Sequence, residues 1–191
     1  MAVEHINRKG QKYYLHQGTT KTGKPKYFFS QKSEGTLVQT IPDGFEVYEN
    51  PNAQVFLQRI QPKIITLDEI ATVEKGIQKF SHLHYCKIDV KKDTIYVYTP
   101  NQNVNNLSKL YSSFSTANPV DIETTIARSI SYSSMLRFIL YNEQKRIFTA
   151  QRFCFLGSID DWIGIGYPDT LPTLVEKYMQ HLEKDSFYEL H

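Results

Sequence analysis

The sequence predicts an α+β fold: a largely antiparallel sheet with three to four helices, preceded by a β-hairpin-rich N-terminal unit. Three observations carry this reading. Short aromatic runs at 12–17 and 26–31 flank the polar stretch Gly18 to Pro25, with two glycines and a proline, the layout of a long-looped β-hairpin. Thr66 and Glu69 stand at capping-box spacing, and Leu67, Ile70, Ala71, Ile77 and Phe80 then recur at helical intervals. Strand-like runs at 83–90 and 94–99 are joined by Lys91-Lys92-Asp93, which predicts an antiparallel pair. Strands paired through hairpins, with helices between them, indicate α+β rather than alternating βαβ units.

The remaining elements follow in order. After the first hairpin, strand-like residues 35–40 lead to a turn at Pro42-Asp43-Gly44, then to a second hairpin of 45–48 and 55–60. Gln61-Pro62 breaks the pattern before the first helix. Val104, Leu107, Leu110, Tyr111 and Phe114 fit a short second helix. Asn118-Pro119 reads as a cap and first-turn proline of a third, continued by Ile122, Ile126, Ala127 and Ile130. Residues 135–141 and 146–156 form another hairpin turned at 142–145, and Trp162 to Gly166 adds a strand. A last helix over about 171–184 buries Leu171, Leu174, Val175, Tyr178 and Leu182. This organisation divides into a β-rich basic unit, 1–62, and an α+β core, 63–191. The connection between them is short enough for one continuous domain.

At 191 residues and 40% apolar content the chain can bury a real core. Its longest apolar runs fall far short of the roughly 20 residues a membrane span needs. The polar opening, Met1 to Gly10, does not suit a signal peptide. Two cysteines, Cys86 and Cys154, lie in strand-like apolar stretches and read as buried reduced thiols, which favours a cytoplasmic protein. The net charge of +2 conceals a separation. Residues 1–32 carry seven lysines and arginines against Glu4 alone, so they hold +6 and leave −4 for the rest.

Candidate chemistry is sparse. Gly18 to Lys24 has the skeleton G-x-x-x-x-G-K, but a phosphate loop must enter a helix and follow its lysine with Ser or Thr. Here Pro25 follows, and a strand-like run comes next. His82-x-His84-x-Cys86 would align three zinc ligands on one face of a strand, yet Ile88 and Val90 continue that face as core. Asp89 and Lys91 could hold Mg²⁺ and steady a water, as in a metal-dependent nuclease or hydrolase, with Glu69 or Glu74 as a conceivable second acid. A solvated strand end explains them equally well. Asp160-Asp161 reads as turn chemistry. No catalytic residue, metal ligand or cofactor is assigned.

The N-terminal ribbon is the one stretch that points to a ligand. Lysines neutralise phosphates and aromatic faces stack on bases. Lys12, Lys21, Lys24 and Lys26, with Tyr14 or Tyr27, are therefore the candidate nucleic-acid-binding residues. The bland alternative is a set of edge lysines that discourage aggregation. An accessory subunit without catalysis is the competing function, with a protein partner contacted through Trp162 and the tail Phe187-Tyr188-Glu189-Leu190.

Three stretches resemble phrases of uncharacterised bacterial proteins: Tyr13-Tyr14-Leu15-His16-Gln17-Gly18 to Phe28-Phe29-Ser30, residues 41–51 from Ile41-Pro42-Asp43-Gly44, and residues 155–162 ending in Asp160-Asp161-Trp162. The resemblance spans much of the chain and implies a bacterial origin. It brings no activity or ligand with it.

Overall fold

The computed structural model describes residues 1–80, 83, 85–104, 106, 107, 109, 119–156 and 159–191. In chain order its strands and helices begin with β1 (Glu4–Ile6), β2 (Lys12–Thr19), β3 (Pro25–Ser30), β4 (Phe45–Glu49) and β5 (Val55–Arg59). Then come α1 (Leu67–Lys79), β6 (Lys87–Lys91), β7 (Thr94–Pro100) and α2 (Pro119–Ser129). β8 (Tyr132–Asn142), β9 (Ile147–Leu156), β10 (Ile159–Thr170), α3 (Leu171–Met179) and a 3-10 turn at Asp185–Phe187 complete the chain. The fold is α+β with antiparallel sheets, and the expected N-terminal hairpin is present. The chain resolves into two compact units, Met1–Gln61 with Ser108–Ser129, and Pro62–Leu107 with Ile130–His191.

In the first unit β2 is the centre of a three-stranded sheet ordered β1-β2-β3. β1 escapes the sequence reading because its three residues, Glu4-His5-Ile6, show no apolar run. The fully buried Leu15 donates its N–H to the Val3 carbonyl and accepts from Val38, and Gln17 donates to Thr36. Residues 36–38 therefore take over the edge of β2 where β1 ends. They make one bridge, His16 to Leu37, in place of the longer strand expected over 35–40.

The first hairpin is tighter than its composition suggests. β2 and β3 pair as far as Thr19–Pro25, leaving a loop of Lys21-Thr22-Gly23 closed by Thr20 N–H to Lys24 O. Gly23, at φ +78, supplies the left-handed residue such a three-residue loop requires, and Thr20 Oγ1 accepts the Lys24 N–H. β4 and β5 form the second hairpin, with Asn50 Oδ1 accepting from Asn52 and Gln54. Glu49 ties β4 to the start of the chain: it accepts Arg8 Nε at 2.7 Å, Arg8 N–H at 3.0 Å and His5 Nε2 at 3.1 Å. Burial raises the Glu49 pKa, and the Arg8 and His5 hydrogen bonds outweigh it, holding the carboxyl below its ordinary value.

The second unit is an antiparallel meander, β6-β7-β8-β9-β10, with α1 and α3 on one face. Ile95, Val97, Leu136, Phe138, Phe148, Ala150 and Ile165 point from the sheet into the core they share with Val73, Ile77, Leu174, Val175 and Tyr178 of the helices. The Thr66–Glu69 capping box is formed as read. Leu67, assigned to the buried face, is 83% exposed, since the first helical position lies beyond the packed stripe that Val73 and Ile77 define. Gly76 lets α1 approach α3: a Cβ there would lie 2.3 Å from Val175 Cγ1.

Several boundaries move. β6 begins at Lys87, not at 83, because Cys86 N–H turns back to Leu83 O. Val104, Asn106, Leu107 and Lys109 are helical, while Leu110, Tyr111 and Phe114 of the expected second helix lie outside the described residues. β10 runs from Ile159 to Thr170, far longer than expected, with a bulge after Ile165. Asp160 and Asp161 belong to this strand, and Gly157-Ser158 lie outside the described residues. At the bulge Gly166 has φ +64, and a Cβ there would lie 1.9 Å from the Tyr178 hydroxyl, which donates to Ile165 O. The last helix stops at Met179 rather than 184. His181 and Leu182 bond three residues back and Glu183 turns left-handed, at φ 62.

Candidate nucleic-acid interface

Strand alternation sorts the ribbon's side chains. Pairing of Gly18 with Lys26, His16 with Phe28 and Tyr14 with Ser30 puts Lys12, Tyr14, His16, Phe28 and Lys26 on one face. Tyr13, Leu15, Gln17, Tyr27 and Phe29 take the other. The ribbon thus places the two candidate stacking residues, Tyr14 and Tyr27, on opposite faces. Tyr27 is half-buried, its ring 6.4 Å from Phe45.

The lysines also differ. Lys12 Nζ lies 2.6 Å from Glu4 and 5.2 Å from the Tyr14 ring centroid. The Glu4 hydrogen bond raises its pKa. Lys21 and Lys24 at the loop and Lys26 at the start of β3 are exposed and make no ion pair among the described residues. A cation already matched by a carboxylate has less to gain from a phosphate, so the available charge sits at the hairpin tip.

Composition did not single out Phe28. It is 42% exposed, and its ring stacks on the buried His16 imidazole at 5.4 Å and 12°. His16 Nε2 is fixed by the Lys32 carbonyl at 2.9 Å. Gly18 leaves room beside the ring, since a Cβ there would meet Phe28 Cε1 at 3.4 Å. An aromatic ring is therefore held flat on a rigid imidazole, next to Lys26.

The other candidates fall out differently. Gly18 lies within β2 and Lys24 leads into β3, so no helix N-terminus follows this glycine loop. Asp89 is buried on β6 with Lys91 Nζ at 3.5 Å. Glu69, its conceivable acidic partner, is engaged by Thr66 and Arg146, and Glu74 is exposed on α1. Asp160 and Asp161, consecutive in β10, point to opposite faces. Among the described residues no group of three His, Cys, Asp or Glu could hold a metal, and His82 and His84 lie outside them. Both cysteines are free thiols, and burial, helped by Glu183, pushes the Cys86 thiol up. Phe187 of the tail is buried in the core. No helix among the described residues is long and apolar enough to cross a membrane. Comparison with protein-family models, with curated proteins and with solved structures finds no match for this chain.

Proposed function

We propose that the chain binds nucleic acid, single strands in preference to duplex, through its N-terminal ribbon. The observation that carries this is Phe28, exposed and stiffened by His16, on the same face as Lys26 and close to the unmatched charges of Lys21 and Lys24. The lysines neutralise phosphates, and an unpaired base stacks on the Phe28 ring with Tyr14 further along that face. Binding at a flat ring reads no sequence, so the preference is for strandedness rather than for particular bases.

The test is fluorescence anisotropy with labelled single- and double-stranded oligonucleotides, at low and physiological salt. Wild type is compared with a K21A/K24A/K26A variant. Tighter binding of single strands, weakened by salt and by the triple substitution, is the expected result. An affinity that the three substitutions leave unchanged would overturn the assignment, as would no binding at low salt.

A further inference from the structure

The sheet of the second unit has a face that α1 and α3 do not cover. Along it one cross-strand row runs Asp89–Tyr96–Arg137–Gln151–Gly164, each residue directly opposite the next. Trp162, two residues before Gly164 on β10, and Phe153, its partner on β9, lie beside that row on the same face. The Arg137 guanidinium stands 4.2 Å over the Trp162 ring, and Tyr96 meets Trp162 edge-on at 6.0 Å. Phe153 stands perpendicular to Trp162 at 5.2 Å and Phe155, 60% exposed, extends the patch.

Two features set this patch apart. The first is Arg137. Its Nε donates to Gln151 Oε1 at 2.8 Å, its planar group is held against Trp162, and no carboxylate pairs with it among the described residues. A guanidinium held in place by a neutral amide and a ring keeps its full charge and spare N–H groups for an anion. The second is Gly164. A Cβ built there meets nothing within 4 Å, and its φ is ordinary, so the backbone does not require glycine. Its effect is to leave an open shelf beside Trp162 and Gln151. Glycine within a strand marks a bulge, a bend or a place where a ligand or another backbone approaches closely, and the open space at Gly164 fits the approach of a ligand.

We infer that this face is a second contact surface for single-stranded nucleic acid. A base joins the Arg137–Trp162 layer over the Gly164 shelf, and the guanidinium meets a backbone phosphate. The ligand class rests on the function proposed above, but the site lies on different residues of a different unit. Stacked aromatics favour a base, and the unmatched guanidinium favours its phosphate over a neutral or cationic partner.

Trp162 is the chain's only tryptophan, so its emission reports on this face alone. A dT20 oligonucleotide is titrated into the full chain while tryptophan emission and anisotropy are followed together. Four proteins are compared: wild type, Gly164→Val, Arg137→Gln and K21A/K24A/K26A. Gly164→Val places a strand-favouring side chain in open space and leaves the fold intact, whereas Arg137→Gln removes the charge. Saturable quenching in wild type, with the midpoint shifted about fivefold or more by either sheet variant, is expected from the loss of one stacked base. Quenching that survives K21A/K24A/K26A and still responds to Gly164→Val upholds the sheet site and discards the ribbon. Anisotropy that rises and responds to the lysines, with tryptophan emission unmoved, overturns the sheet site and leaves the ribbon standing. Quenching indifferent to both sheet substitutions also overturns it. No response in either signal overturns both.

Discussion

Arg146, the left-handed residue that closes the β8–β9 turn, donates its Nε to Glu69 Oε1 at 2.8 Å and an Nη to the Ile64 carbonyl at 3.2 Å. Glu69 at the same time accepts the Thr66 N–H at 2.8 Å. One carboxylate thus fastens a hairpin turn to the start of α1. Burial raises its pKa, but the hydrogen bonds from Arg146 and Thr66 outweigh that and hold it below 4.5. The stability from this depression is present above the ordinary carboxylate value and fades as pH falls through the folded one. Glu69→Gln keeps the cap and loses the charge. Its expected cost in urea unfolding at pH 7 is about 1 kcal/mol, and the difference from wild type should shrink as pH falls below about 4.

At the α1–α3 contact, Gly76→Ala raises helix propensity by about 1 kcal/mol but drives a methyl against Val175 Cγ1. Overpacking costs about 1–3 kcal/mol in a closed core. Denaturant melts should show a net loss, relieved in the Gly76→Ala/Val175→Ala double variant relative to Val175→Ala alone. A Gly76→Ala protein more stable than wild type would mean that the helices have room to part.

Tyr98 faces the same side of the sheet as Asp89 and Tyr96. Burial first, then those two neighbours, push its hydroxyl up to about 12. A raised folded value gives stability that is complete below the ordinary tyrosine value near 10 and is lost between there and about 12. Ultraviolet titration should find a late tyrosine step that Tyr98→Phe removes, and the Phe variant should tolerate alkali better.

The C-terminal tail is anchored from within. Buried Arg152 on β9 donates Nε to the Leu190 carbonyl at 2.7 Å and an Nη to Tyr188 at 2.9 Å, while Phe187 fills core volume. Truncation after Lys184 removes that ring and strands a buried cation, so thermal unfolding should fall by the equivalent of at least about 3 kcal/mol. A tail that served only to recruit a partner would come off with no such loss.

On the ribbon, Phe28→Ala should weaken single-strand binding by the worth of one stacked base, about 1–3 kcal/mol, and leave its salt slope unchanged. Removing Lys21, Lys24 and Lys26 should instead flatten the slope of log affinity against log salt by about 2, at about 0.7 per phosphate contact. The two effects separate stacking from charge in one titration series.

Local chemistry made much of this fold legible. The Thr66–Glu69 box, the Lys91-Lys92-Asp93 turn and the Asn142 to Lys145 turn announce themselves because their signals span a few residues. Gly164, Gly166 and Pro168 break the pattern of β10, so the sequence shows only part of it, yet an edge strand tolerates all three. The extended residues 36–38 are held by Leu15 and Gln17 of β2 and by Val3, partners distant in the chain that no local pattern shows. For the candidate site, Lys21, Lys24 and Lys26 could be read from charge alone. Choosing Phe28 over Tyr27 required the strand register, since a one-residue shift exchanges the two faces.

The close fit of Gly76 against Val175 has a consequence in time. The two residues lie 99 positions apart (175 − 76), whereas β6–β7, β8–β9 and β9–β10 join strands that are adjacent in the chain. Short loops close quickly and distant ones slowly, so the hairpins should assemble before α1 finds α3. A defect at Gly76 would then hardly slow refolding and would instead hasten unfolding, giving a φ-value near zero against a higher one at the β8–β9 turn. The helix pair is the latch of the second unit, shut last and opened first.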